Sequence, residues 1–364
     1  MSYRLQWLAA LVTLTLAVRP SGAERLVPSA DLKASVARAL PPLTRGAAGH
    51  RENKSCFACH SQGLPVMAMT TARERGVAID AEELKRQLEA VAEFLGENRD
   101  RYLEGKGQGG QADTAGYALV TLELGGWRAD ETTAAVTKYL LLRNGDLDHW
   151  RANSPRPPSE GSHFTTSYVA LRALAAFRTA DQQQPFEGRR DQVRQWLVKT
   201  PAKDHEDRVF RLLGLQLAGA AAGDIEAAVK DLKTTQRPDG GWAQLAGGGW
   251  AQLSGSGGEP PAAATRSDAY ATGTALIALH QAGGLGTSDP AYQRGLRYLL
   301  ATQQPDGTWH VVTRSKPIQK YFETGFPYGK DQFISSAATG WAATALGLAI
   351  EPADSPPAAT REEP

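Results

Sequence analysis

Apolar residues recur along this chain at helical spacing almost from end to end. In Ala81–Leu103, residues Leu84, Leu88, Val91, Phe94 and Leu95 fall on one face with charges between them, the stripe of a helix that buries one side. The same pattern marks Ala30–Leu40, Glu131–Leu142, Arg189–Lys199, Ile225–Gln236 and Pro290–Gln303. A second kind of segment is small and apolar on most faces. These are Gly63–Arg73, Thr114–Leu124, Thr166–Phe177, Val209–Ala218, Ala271–Ala282 and Ala337–Ile350. A helix apolar all round is buried all round. Alternating Val/Ile/Thr runs are almost absent, so no sheet is expected.

The two kinds alternate six times, and the amphipathic starts lie roughly 35 to 65 residues apart, the period of a helical-hairpin array. Glycines close several buried segments, at Leu124-Gly125-Gly126, Leu217-Ala218-Gly219 and Ala282-Gly283-Gly284, where left-handed C-caps form. Six outer and six inner helices predict an all-α fold, a closed (α/α)6 toroid. The alternative, an open solenoid, would need polar terminal caps, and none is evident.

The N-terminus reads as an address. Arg4 is followed by the apolar stretch Leu8 to Val18, too short to span a bilayer, and then by the small residues Ser21-Gly22-Ala23. This is the pattern of a secretory signal peptide over residues 1–23, with Glu24 as the mature start. The mature chain is then expected to be periplasmic or secreted, without stable membrane insertion. Residues 24–350 form one toroid domain, and 351–364 read as a disordered C-terminal tail. Across the whole chain, 40 Lys and Arg balance 39 Asp and Glu. No basic stripe stands out, which argues against nucleic acid as a partner.

Arg294-Gly295-Leu-Arg-Tyr298-Leu299-Leu-Ala-Thr-Gln303-Gln-Pro-Asp-Gly307-Thr-Trp309 resembles the QW repeat of the squalene/hopene cyclase and prenyltransferase superfamily. Gln236-Arg-Pro-Asp-Gly240-Gly-Trp242 repeats its tail, and Tyr139-Leu140, Asn144 and Trp150 form a degenerate third copy. The resemblance spans most of Ala81 to Ile350. It implies a toroid in which each motif ends an outer helix and ties neighbouring hairpins. It does not imply a reaction, because one fold hosts many chemistries. Hopene-type cyclases also carry an Asp-x-Asp-Asp proton donor. The nearest string in this reading is Asp146-Leu147-Asp148-His149, which lacks one carboxylate. The zinc prenyltransferases and lanthionine cyclases that this fold resembles need a Cys ligand in the later half, where this chain has none. Gly240-Gly-Trp242-Ala-Gln-Leu and Gly248-Gly-Trp250-Ala-Gln-Leu read as an internal duplication, with the Gly/Ser run to Gly258 as a flexible loop.

Both cysteines of the chain lie in Cys56-Phe-Ala-Cys59-His60. Cys-x-x-Cys-His is the attachment string of c-type haem. Two thiols reach the two vinyl groups of one porphyrin, and the next residue presents imidazole to the iron. Cys56, Cys59 and His60 are therefore expected to bind covalent haem, with His60 on the iron. A Cys56–Cys59 disulfide, a redox dithiol and a zinc site remain alternatives. The string precedes the first inner helix, so it should lie at the mouth where all inner helices begin. Their N-termini favour anions there. The long loops Asp146–Phe164 and Trp309–Ser335 gather at the same end as covers. For a second iron ligand His163 ranks first, followed by His149 and His310, with an open or water-bound position as the alternative. Met67 and Met69 lie on the same helix as His60, Met67 about 10 Å along it, and read as core. The sequence thus predicts an exported haem-c protein serving electron transfer or redox, whose partner is a redox protein or a small molecule held in the toroid mouth. The alternatives are a haem enzyme and a haem-free cyclase relative.

Overall fold

The computed structural model describes residues 25–154, 156–245, 265–317 and 320–352. The expected signal peptide, the second copy of the duplicated Gly-Gly-Trp string and nearly all of the expected tail lie outside the described residues. Among the described residues there are six outer helices: α1 (Ser29–Asn53), α3 (Ala81–Gly96), α6 (Glu131–Leu142), α8 (Gln183–Lys199), α10 (Ala222–Thr234) and α12 (Pro290–Thr302). Six inner helices alternate with them: α2 (Leu64–Glu74), α5 (Ala112–Leu124), α7 (His163–Phe177), α9 (His205–Leu217), α11 (Ala269–Gln281) and α13 (Gln332–Leu348). A short α4 (Arg99–Leu103) follows α3. Each inner helix packs on the next, from α2 through α5, α7, α9 and α11 to α13, and α13 returns to α2. The ring is closed, so the solenoid alternative falls. Among the described residues the only β pairing is two isolated bridges, Arg156 with Glu160 and Trp242 with Asp268. No described helix is long and apolar enough to cross a membrane.

The inner helices close because small residues let them approach. A Cβ on Gly116 would stand 2.8 Å from Val169 of α7, and one on Gly273 would stand 2.8 Å from the Trp341 backbone of α13. The outer helices contribute their apolar stripes: Leu84, Leu88, Val91 and Leu95 of α3 are all buried.

The QW residues act as the sequence implied. Each tryptophan is buried and donates its indole N–H to a carbonyl near the end of the preceding outer helix. Trp309 reaches Leu299 at 2.9 Å, Trp242 reaches Leu232 at 3.0 Å, and the degenerate Trp150 reaches Leu140 at 2.9 Å. The glutamines bridge to the next outer helix. Gln236 donates to Ala291 of α12 at 2.7 Å, and Gln303 donates to Ser35 of α1 at 2.9 Å. The second bridge joins the last outer helix to the first.

Helix α1 departs from expectation. The Pro41-Pro42 pair should stop a helix, yet α1 runs through both prolines to Asn53. Pro42 offers no N–H to the Arg38 carbonyl four residues back. The turn at Gly307 packs against that carbonyl, so the defect in the ladder becomes a docking point.

Candidate functional site at the mouth of the toroid

The inner helices begin at one end of the ring, and the chemistry collects there. Cys59–Gly63 forms a π-helical turn that leads into α2. Three contacts hold the string that precedes it. His50 of α1 donates its Nε2–H to the Cys56 carbonyl at 2.8 Å, the Ala58 N–H donates to Gln62 at 3.0 Å, and Ser336 of α13 donates to the His60 carbonyl at 2.9 Å. The tail of α1 beyond the prolines is what delivers His50, which is buried. This positioning residue was not legible from a helix expected to end at Leu40.

His60 lines a cavity of about 510 Å³. The Phe333 ring packs edge-on against it at 5.0 Å. Burial, reinforced by the nearby His50 and Arg156, pushes the His60 imidazole down to about 3, so it is neutral at physiological pH. The two covering loops build the rest of the wall. Arg156 to Glu160 comes from one, and Thr313, Ser315, Lys316, Pro317, Lys320 and Tyr321 come from the other. Ser315 Oγ donates to the Pro157 carbonyl at 2.5 Å and joins them. Cys56 is exposed and Cys59 is buried, and both are free thiols. The Cys59 Sγ lies 3.8 Å from Glu160, which forms an ion pair with Arg156 and lines the cavity. The Cys59 thiol thus sits directly behind the cavity wall.

The other predicted ligands stand elsewhere. His163 Nδ1 accepts the Ala152 N–H at 3.0 Å, and its ring faces His149 at 5.4 Å. His149 in turn stacks on Trp196 at 4.5 Å and pairs with Asp148. His310 stacks on Tyr328 at 4.4 Å and meets Asp331 at 3.1 Å. None of the three lines the His60 cavity. Met67 and Met69 are buried in α2, as core residues should be. Among the described residues no group of three or more His, Cys, Asp and Glu stands together as a metal cluster, so the zinc alternative lacks its further ligands.

The buried start of α9 carries a second constellation. Asp204 caps α9 by accepting the Asp207 N–H at 3.0 Å, and the next turn carries His205, Glu206 and Asp207. Glu206 is 2% exposed. Its Oε1 accepts from Thr165 at 3.0 Å and from Tyr270 at 3.2 Å, while Oε2 has no partner. Burial, then the charge of Asp204, pushes Glu206 up to about 8. A neutral carboxylic acid suits this arrangement, because both donors fall on one oxygen and the other can carry the proton. Burial also raises Asp113 to about 7 and Asp204 to about 6. Arg314 enters from the covering loop, donates to Gln244 at 2.8 Å, and acts electrostatically on Asp204 and Glu206. Burial pushes the Tyr270 phenol well up, and Ser159 of the cavity wall acts on it in the opposite sense. Asp146 and Asp148, the nearest acid string in the sequence reading, are exposed. The string with the sought spacing is Asp204-His205-Glu206-Asp207, with glutamate in the third place. A search that admitted Glu for Asp would have found it.

The buried acids set a pH dependence. Between about pH 3 and 6.5 the depressed His60 and His205 favour the folded state increasingly as pH rises, opposing the raised acids. Above 6.5 only the acids act. In the folded chain Asp113 holds its proton up to about pH 7 and Glu206 up to about pH 8, while both are ionised in the unfolded one, so stability falls as pH rises through 7 towards 8. Each such proton contributes a slope of up to about 1.4 kcal/mol per pH unit. Denaturant melts at pH 6.5, 7.5 and 8.5 should show the decline, and Glu206→Gln should flatten it. An unchanged slope in that variant would contradict the assignment.

The squalene-hopene cyclase C-terminal domain model matches residues 207–335. A squalene–hopene cyclase of Bradyrhizobium diazoefficiens is 37% identical over 118 residues, which is 32% of this chain and 16% of that protein. A drimenyl diphosphate synthase of Streptantibioticus cattleyicolor is 30% identical over 220 residues, 57% of this chain and 37% of that protein. The matched regions thus span well under half the length of either relative. The type II terpene cyclase MstE from Scytonema superposes with a TM-score of 0.55 at 16% identity, covering 89% of this chain and 99% of that one. A glycosidase solved with glucose superposes equally well, at 0.55 and 14% identity over 88% and 98%. The fold is therefore a terpenoid-cyclase-like toroid, and a cyclase and a glycosidase both use it. The domain-model match begins after Cys56–His60 and so does not bear on that string.

Proposed function

We propose that this chain is an exported c-type haem protein built on a terpenoid-cyclase-like toroid, with haem held at the mouth by Cys56, Cys59 and His60. One observation carries the reading: the His60 ring, held neutral and directly following two thiols, forms part of the wall of a cavity. A neutral imidazole is the form that ligates iron. The volume of about 510 Å³ lies in the range that takes one small cofactor. The apolar patch of Pro157, Pro158, Phe333 and Ile334 suits a tetrapyrrole face. Cys56 is open to solvent, and Cys59 is separated from the cavity by Glu160, so the loop carrying Glu160 must yield for two thioethers to form. Bound there, haem supplies a one-electron iron couple. His60 would hold the iron, Phe333 packed against it would help exclude water, and a redox protein or small molecule would approach from the side of the loops. The absorption spectrum of the full chain, exported in a bacterium that matures c-type haem, tests this. A haem spectrum that survives acid–acetone extraction is expected, and a colourless protein would overturn the reading.

A second reading rests on Glu206. An acid held neutral at pH 7 at the third place of an Asp-x-Glu-Asp string is placed to protonate an alkene, as the Asp-x-Asp-Asp acid of the resembling cyclases does. It ranks second because the acid is walled in. Tyr270 bonds to it, and the Tyr270 and Phe210 rings pack on Trp341 at 6.4 and 6.3 Å. Conversion of a linear polyprenyl substrate to a cyclic product, abolished in Glu206→Gln, would support this reading. No conversion by the unmodified chain would remove it.

A further inference from the structure

Three lysines around the His60 cavity have no task in the reading above. Lys316 and Lys320 stand on one covering loop, and Lys330 lies just before α13. All three are exposed, and none has a carboxylate partner among the described residues. The fourth cation of the wall, Arg156, is already engaged by Glu160. Pro157, Pro158, Pro317, Phe333, Ile334 and Ala337 give the wall a broad apolar part, beside neutral polar groups such as Ser159 and Thr313. An apolar floor beneath a rim of free ammonium groups suits a ligand with the opposite layout, a flat apolar body with carboxylates at its edge. We infer that Lys316, Lys320 and Lys330 form a carboxylate-recognising rim, so that the cavity selects a tetrapyrrole dicarboxylate by its acid groups and not by its iron or its thioether bonds alone. The inference rests on the haem reading for its ligand class, yet it concerns different residues and a different interaction.

Charge complementarity argues for the rim. A chain of net charge +1 has no general excess of cations, yet three without partners gather at one cavity. Exposed ion pairs are individually weak and screened by salt. Two carboxylates meeting two or three lysines should therefore change affinity by about tenfold and no more. The lysines carry long flexible stems, so one rim can follow small differences in where the acids lie.

The test uses the exported full chain with Cys56→Ser and Cys59→Ser, so that binding is reversible. It is titrated with metal-free mesoporphyrin and with the dimethyl ester of the same porphyrin, read by quenching of tryptophan fluorescence. Neither probe needs His60 as an iron ligand. The free diacid should bind about tenfold more tightly than the diester. High salt should shrink that preference, and Lys316→Gln/Lys320→Gln/Lys330→Gln should abolish it. Equal affinity for acid and ester would overturn the inference, as would a preference untouched by salt and by the triple substitution, or no binding of either porphyrin. The salt series needs no lysine variant, so a poorly folding triple variant leaves the question decidable. If wild-type protein carries no covalent haem but the diacid preference is found, the haem reading fails and the rim stands. Covalent haem without the preference leaves the haem reading standing and removes the rim.

Discussion

Exported with both thiols replaced, Cys56→Ser/Cys59→Ser, the chain should lose all colour to acid–acetone extraction, whereas wild type should keep it in the pellet. The effect should be all-or-none, because a thioether forms when a thiol adds across a vinyl group, and serine hydroxyls do not make that bond. His60→Ala should behave differently: the thioethers remain, and the absorption departs from that of imidazole-ligated iron. The order of events also follows from burial. Cys59 is 4% exposed and lies behind Glu160, and burial, with Glu160 beside it, pushes its thiol well above the usual range. The thiolate needed for reaction is scarce once the fold has closed. Attachment should therefore precede folding, and haem added to folded, haem-free protein should bind without covalent linkage. Covalent linkage to the prefolded chain under the same conditions would show that the loop at Glu160 opens readily.

The double ring was legible because helical periodicity repeats twelve times and the QW tails mark where outer helices end. The mouth was only partly legible. Position in the repeat placed Cys56–His60 at the start of an inner helix and gathered the covering loops over it. It could not place His163. The start of α7 shares the mouth with the start of α2, but rotation about the helix axis points the His163 ring toward His149, which itself stacks on Trp196. Repeat alignment fixes height along the ring axis and leaves that rotation open. His50 was hidden for another reason. Local rules stop a helix at Pro41-Pro42, and only the packing of the Gly307 turn against the freed Arg38 carbonyl explains why α1 continues. Glu206 was hidden by too strict a spelling of an acid motif, and its character comes from burial beside Tyr270 and Thr165, which no local pattern reports.

The largest loss of stability should come from the seam where the ring closes. Trp309 is 1% exposed, donates its indole N–H to Leu299, and donates its backbone N–H to Thr339 Oγ1 of α13 at 3.1 Å. It therefore joins the last outer helix to the last inner one. Gln303, six residues earlier, reaches Ser35 and Arg38 of α1. Truncating a fully buried tryptophan costs about 3–5 kcal/mol, so Trp309→Ala should lower the unfolding free energy by that much and move the denaturant midpoint down. Gly307→Ala acts on the same seam by another route. Gly307 has φ +87°, a conformation that costs an alanine about 1–2 kcal/mol, and the added Cβ would run into the Arg38 carbonyl. Since α1 cannot retreat without loosening Gln303, the clash adds to the backbone cost. The matching position Gly240, at φ +88° and with an added Cβ 2.6 Å from the Arg294 carbonyl, provides the control. It ties two sequential outer helices instead of closing the ring. If closure across the ends carries extra weight, Gly307→Ala should destabilise more than Gly240→Ala. Equal midpoints for the two variants would mean that the toroid is held as a chain of local hairpin contacts and gains nothing from being closed.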